Sequence, residues 1–331
     1  MRRRGAEHVA GLAERIELPA SKRQVLQRAV RLEWLTIAFL VTAVAAMYAA
    51  AGSSQAMKAA WIEDLLSFLP PIAFLVTNRV RSKEPTVEHP YGFHRSVSIG
   101  YLVAATALLL MGSFLVVESG LALAAAERTP IGLVTVFGHT FWAGWLMVAA
   151  LTYTLVPPVL LGRAKLGPAR ELHDKVLYAD ADMNKADWQT AAAGIVGVLG
   201  IGIGLWWLDA VAAILIGASV AHDGWRNLRT ALGDLMDSRA SVHDDWRTVH
   251  PAVDGIRDAV MAHGGVAAVQ VRVREEGHVF HAEVFVVPGD ERIALGELED
   301  IRDAVRAVDW KLHHVVVVPV RTLPVGNLPS P

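Results

Sequence analysis

Cysteine is absent from the 331 residues, which excludes disulfides and thiolate metal sites. Any metal must then be held through oxygen, imidazole or thioether. Charge is scarce too: Asp, Glu, Lys and Arg make up 19% of the chain, and the formal net charge is −2. Soluble domains carry about 25% charged residues, and a balance this near neutral offers a nucleic acid nothing to bind. The apolar stretches contain no Gly-rich phosphate loop, no nucleophile–base pair and no His-x-x-x-His zinc pattern, so an enzyme is not expected. Internal repeats and low-complexity runs are also missing. What the chain has is apolar residues, at 53% with a mean hydropathy of +0.36. That composition belongs in a lipid bilayer.

Six apolar segments can be drawn, at about 34–51, 57–78, 97–126, 132–161, 180–206 and 208–225, each compared with the roughly 20 residues a span needs. The connections alternate in basic content. Lys22, Arg23, Arg28 and Arg31 precede the first segment, and Arg79, Arg81, Lys83 and Arg95 lie between the second and third. Arg163, Lys165, Arg170 and Lys175 separate the fourth from the fifth, and Arg226 and Arg229 follow the sixth. The positive-inside bias then puts both chain ends in the cytoplasm. The Arg2-Arg3-Arg4 start leads into a stretch too long for a secretory signal, so the first span is expected to be retained. The resulting division is a cytoplasmic N-terminal segment (1–32), a six-span all-α transmembrane domain (33–237), a cytoplasmic domain (238–320) and a disordered tail (321–331).

After Asp237 the pattern changes. Val249, Val253, Ile256 and Val260 keep helical spacing up to Gly264-Gly265. Residues 266–273 and 278–287 alternate or run apolar around Glu275-Glu276-Gly277, as a hairpin does. A second amphipathic helix over 295–308 and a last strand over 315–320 complete an α-β-β-α-β order. It predicts a small α+β domain with both helices on one face of a three-stranded sheet.

The chemistry concentrates in two acidic stretches. Asp180, Asn184 and Asp187 fall at i, i+4, i+7 and share one helical face with Met183, while Asp182 and Lys185 point elsewhere and can pair with each other or reach the cytoplasmic boundary. Glu63 and Asp64 lie in the second apolar segment, on the face that carries Ser67. Pro70-Pro71 then remove two amide hydrogens, leaving the Leu66 and Ser67 carbonyls without their helical partners. An acidic side chain at the middle of a membrane helix costs about 2.5–3.5 kcal/mol, and such residues mark ion or proton routes. Together these groups form a hard, oxygen-rich set. Two readings stand side by side: Asp180 and Asp182 as an acidic first turn at the water boundary, or as part of the ion site. Glu63 and Asp64 equally suit an outer helix start.

These features resemble the cation diffusion facilitator family of divalent-metal/proton antiporters, in order from about residue 33 to 320. The resemblance rests on Glu88-His89-Pro90-Tyr91-Gly92-Phe93-His94-Arg95, on Asp187 and the Gly-rich fifth segment, on Asp209–Gly217, and on Trp225–Asp237. It implies a homodimer in the cytoplasmic membrane, a metallochaperone-like cytoplasmic domain, no permanently bound cofactor, and export of zinc, iron(II), manganese or similar ions. The family's four transport ligands lie as two x-x-x-spaced pairs on the second and fifth spans. Asp64 and Asp187 stand at two of these positions; Phe68 and Met183 occupy the other two. Glu63, Asn184 or Asp180 can substitute from neighbouring positions, and without an imidazole the set tilts towards manganese, iron(II) or magnesium. Alternatively the chain is a transport-incompetent relative, acting as a regulatory or heterodimer subunit.

Secondary candidates remain. His89 with Glu88 and His94 suits a loop metal site, and His281 with Glu283 and His313-His314 a cytoplasmic one. Surface histidines without a ligand are the plainer alternative for both. Arg95 and Asp237 suit a charge contact, and Gly200/Gly204 a close helix packing.

Overall fold

The computed structural model describes residues 19–51, 64–126, 132–136, 139–242, 245–277, 279–290 and 292–324. They divide into a helical unit (20–82 and 99–232) and a second unit that contains 83–98 and the chain from 233 onward. In the helical unit, α1 is Ala20–Ala51, α2 Leu69–Arg81, α3 Ser96–Ala124, α4 Ala143–Leu172, α5 Lys175–Gly202 and α6 Leu208–Leu235. Three of these, α1, α3 and α4, are long and apolar enough to cross a membrane. The 28-residue α5 is as long, yet it is interrupted by Asp180, Asp182, Lys185 and Asp187.

Several boundaries differ from the hydropathy reading. The fourth apolar segment opens with an antiparallel hairpin, β1 (Leu133–Val136) and β2 (His139–Trp142), and only then becomes helix. The basic residues assigned to connections lie on helices instead. Arg163, Lys165 and Arg170 belong to α4 and Lys175 opens α5, leaving only His173 and Asp174 between them. His173 ends α4 in the left-handed region at φ 49°, and the Asp174 carboxylate accepts from the Val176 and Leu177 amides as the α5 N-cap. Two residues with these roles turn the chain sharply, as in any tight helical hairpin. Trp34 is exposed well inside α1, which extends past its apolar run towards the N-terminus.

Small residues set the helix spacing, though not the pair expected. Gly204 lies beyond α5 at φ +90° with open space around it, and Gly200 faces the side chain of Leu208. The close approach is between α3 and α6. A Cβ at Gly112 would stand 2.3 Å from the Ala221 amide nitrogen, and one at Gly224 2.5 Å from that of Leu109. Leu110, Val117 and Leu121 on α3, and Trp145, Val156 and Leu160 on α4, are exposed. An apolar surface of this kind suits lipid rather than water.

In the second unit, β3 (Ser241–Val242) pairs with β4 (Asp245–Val249). Then come α7 (Ala252–Met261), β5 (Val266–Glu276), β6 (Val279–Pro288), α8 (Leu295–Val308) and β7 (Leu312–Pro319). The three-stranded sheet runs β5-β6-β7, antiparallel and then parallel. The α-β-β-α-β order is therefore present, preceded by a short ribbon the sequence did not announce. Alternate residues Phe280, Ala282, Val284 and Val286 of β6 point into one core with Val271 and Val273, where Ile256 and Val260 of α7 and Ile301 and Val305 of α8 close it.

The β5–β6 turn carries Gly277 at φ +66°, and a Cβ there would stand 2.5 Å from the His94 carbonyl oxygen. Glycine is thus required twice, by conformation and by the segment packed on it. Gly277→Ala should cost about 1–3 kcal/mol, read as a fall of several degrees in the unfolding temperature of the second unit in the detergent-solubilised chain. An unchanged melt would refute the close packing.

Candidate functional site

The break before α2 creates the candidate site. Asp64–Leu66 are helical, Ser67 and Phe68 turn, and the helix restarts at Leu69 with the prolines in its first turn. Proline suits a first turn because its fixed φ fits and its missing amide hydrogen would have no helical partner there. The interruption buries the Ser67 side chain, whose hydroxyl donates to Asp187 Oδ1 at 2.7 Å. Asp64 lies three residues before Ser67 in the same short segment. Asp64 Oδ2 is buried without a hydrogen-bond partner. Two carboxylates and a hydroxyl from α5 and the residues before α2 thus converge.

The other candidates go elsewhere. Met183 is buried among Ala107, Leu108, Met111, Ala186 and Val220, an apolar contact set. Asn184 is buried with its amide donating to the Asp180 carbonyl oxygen at 2.8 Å, and a Cβ at Gly162 of α4 would lie 3.1 Å from its Cβ. Asp180 is drawn into an ion triad: Lys165 Nζ of α4 contacts Asp180 Oδ2 and lies 3.0 Å from Glu33 Oε2 of α1. Their side chains are 0%, 1% and 0% exposed for Lys165, Asp180 and Glu33, so Asp180 is no acidic first turn in water. Asp182 and Lys185 bond to α6 rather than to each other. Asp182 accepts from Asn227 at 3.1 Å, and Lys185 lies 3.2 Å from Asp223. Glu63 lies outside the described residues. Among the described residues, no group of three or more His, Cys, Asp or Glu is gathered as a metal cluster.

Lys165 escaped the sequence reading because it lies just beyond a hydrophobic run and was counted with a water-facing basic stretch, and Glu33 because it stands at the very edge of the first apolar segment. The available signal was helical continuity, since α1 and α4 extend past their apolar cores.

In the second unit the loop histidines separate. His89 stacks on Phe93 at 4.6 Å between centroids, whereas His94 meets the edge of His314 at 6.2 Å. The parallel register puts His281 beside His314, rings 6.0 Å apart, with His281 Nδ1 and His314 Nε2 buried and unpartnered. Glu283, two residues on from His281 in β6, stands opposite Arg272 on β5. Arg95 contacts Asp237 and lies 3.6 Å from Glu276; Arg274 reaches Asp237 at 3.5 Å and Glu276 at 3.0 Å. These four charges close a ring that fastens residues 83–98 to β5.

The family model described as the cation efflux transmembrane domain matches residues 33–236, well over half of the chain. The manganese efflux system protein MneS of Bacillus subtilis is 21% identical over 270 residues, which cover 79% of this chain and 86% of that protein. An uncharacterised transporter of Methanocaldococcus jannaschii is 24% identical over 260 residues, 77% of this chain and 83% of its own. The magnetosome protein MamB of Magnetospirillum gryphiswaldense is 26% identical over 161 residues, 48% and 50% of the two chains.

Removing the lysine of the triad strands two buried carboxylates. Lys165→Met should therefore cost about 3–5 kcal/mol, and adding Glu33→Gln with Asp180→Asn should restore most of it, as measured by thermal unfolding in detergent. In the second unit, burial holds the His281 imidazole below its ordinary pKa of 6.5, helped by the Arg274 and His314 charges against the opposing pull of Glu276 and Glu283. The unfolded chain then binds the proton more readily, so stability is lost as pH falls below about 6.5. His281→Gln should flatten that loss in a pH series of melts.

Proposed function

This chain belongs to the cation efflux family, and on that premise we propose that it exports a divalent metal cation in exchange for protons by alternating access. Asp64 and Asp187 are the ligands of this reading, with Ser67 orienting Asp187. The observation that carries it is the Ser67–Asp187 bond at 2.7 Å beside the unpartnered Asp64 Oδ2. An oxygen-rich pair without imidazole suits a hard ion of the manganese(II) or iron(II) type better than zinc, in keeping with the name of the Bacillus relative. A carboxylate must be deprotonated to hold a metal, so metal and proton compete for the same oxygens. A helix pair opening to each side in turn converts that competition into exchange.

In this reading the six apolar segments, the second of them made of α2 and the residues before it, are six spans of the cytoplasmic membrane, both chain ends are cytoplasmic, and the protein works as a homodimer. Asp180, Asn184 and Met183 are left out of the ligand set because each is engaged elsewhere. His281, His314 and His89 have no part in transport.

A second reading, a transport-incompetent subunit that regulates a partner, is favoured by one observation: Met183 is packed in the apolar core, and Phe68 sits at the helix restart. Reconstituted vesicles holding a pH-sensitive dye separate the two. Wild type should show proton flux driven by manganese(II), iron(II) or zinc, and Asp187→Ala should reduce it at least tenfold, to background. Wild-type rates in Asp187→Ala would overturn the ligand assignment, and no flux from wild type with any divalent ion would favour the regulatory subunit.

A further inference from the structure

The triad of α1, α4 and α5 has no role in the ligand set, yet it is the most deeply buried charge cluster described. Two carboxylates face one ammonium, which leaves one negative charge in excess. Lys165 Nζ satisfies Glu33 Oε2 and Asp180 Oδ2, whereas Glu33 Oε1 and Asp180 Oδ1 are buried without a partner. Both carboxyl groups meet the same ammonium, one oxygen each, which sets them side by side in the cluster. A single proton between them would neutralise the cluster and turn two stranded acceptors into a donor and an acceptor. A buried unpaired charge is otherwise too costly to retain.

We propose that Glu33, Lys165 and Asp180 form a proton-binding site, distinct from the metal ligands, that takes up and releases one proton in each transport cycle. This rests on the exchange reading above. The proton comes from water, bridges a Glu33 oxygen and an Asp180 oxygen, and returns to water; no covalent bond between heavy atoms changes. The groups that face it are Glu33 from α1, Lys165 from α4 and Asp180 from α5. Asp187, two turns further along α5, feels the charges of both Asp180 and Lys165. A dication arriving at Asp187 therefore favours loss of the triad's proton, and a proton arriving at the triad disfavours the metal. The site thus couples to transport through charge along one rigid helix, with Asp180 and Asp187 about 10 Å apart at 1.5 Å per residue.

Glu33→Gln is the decisive variant, because it removes the excess charge and leaves a neutral Lys165–Asp180 pair that can fold. Two measurements on the full chain apply. Infrared difference spectra of the reconstituted protein, wild type against each variant, should contain a carbonyl-stretch band of a buried protonated carboxylic acid that Glu33→Gln and Asp180→Asn both lack, separate from any band of Asp64 and Asp187. In dye-loaded vesicles driven by manganese(II), Glu33→Gln should keep metal flux while the proton-to-metal ratio falls by one proton. A band that persists in both variants, or an unchanged ratio, overturns the proposal. If wild type has the band and both variants lose it but no metal-driven flux occurs, the proton site stands and the exchange reading and its coupling role fall.

Discussion

An ionised carboxylate inside an apolar bundle must be met by a donor or give up its charge, and α5 brings three aspartates into that position. Each is met differently. Asp180 takes the ammonium of Lys165, Asp182 the amide of Asn227, and Asp187 the hydroxyl of Ser67. Each bond reaches a different element, so α5 is fixed against α4, α6 and the segment before α2 by its own acidic residues. The helix is the hub of the bundle because its charges leave it no choice.

The three solutions differ in kind. A lysine supplies a full charge, so Asp180 serves the architecture and cannot readily turn to a transported ion. A serine hydroxyl supplies only a dipole, which leaves most of the Asp187 charge uncompensated beside Asp64. The proposed ligand is therefore the carboxylate whose partner is weakest. The proline pair in the first turn of α2 matters for the same reason, since the helix restarts there just after Ser67 turns inward.

The second unit uses another economy of charge. Arg95, Asp237, Arg274 and Glu276 alternate in sign; the first three are partly open to water and Glu276 is buried, and at such a site each exposed contact contributes little alone while a network contributes more. Packed against the same hairpin, Gly277 admits the backbone of residue 94. The loop 83–98 is therefore held by sterics and by electrostatics at one place.

Hydropathy and spacing made the number of apolar segments, the alternating basic stretches and the α-β-β-α-β ending legible, because burial imposes periods of 3.6 and 2 on any chain. They also singled out the two acidic stretches, from which the family resemblance takes Asp64 and Asp187. They did not reveal that Glu33 and Lys165 are interior, since a polar residue at the margin of an apolar run looks the same whether water or a neighbouring helix receives it. The hairpin over 133–142 was hidden likewise, its apolar residues being read as helix. Composition by itself determined that this chain belongs in a bilayer and that its acidic residues there need partners. Only the tertiary structure decided which partner each one has, because a hydrogen bond between residues 120 or 132 positions apart depends on how helices pack, and local sequence carries no record of that.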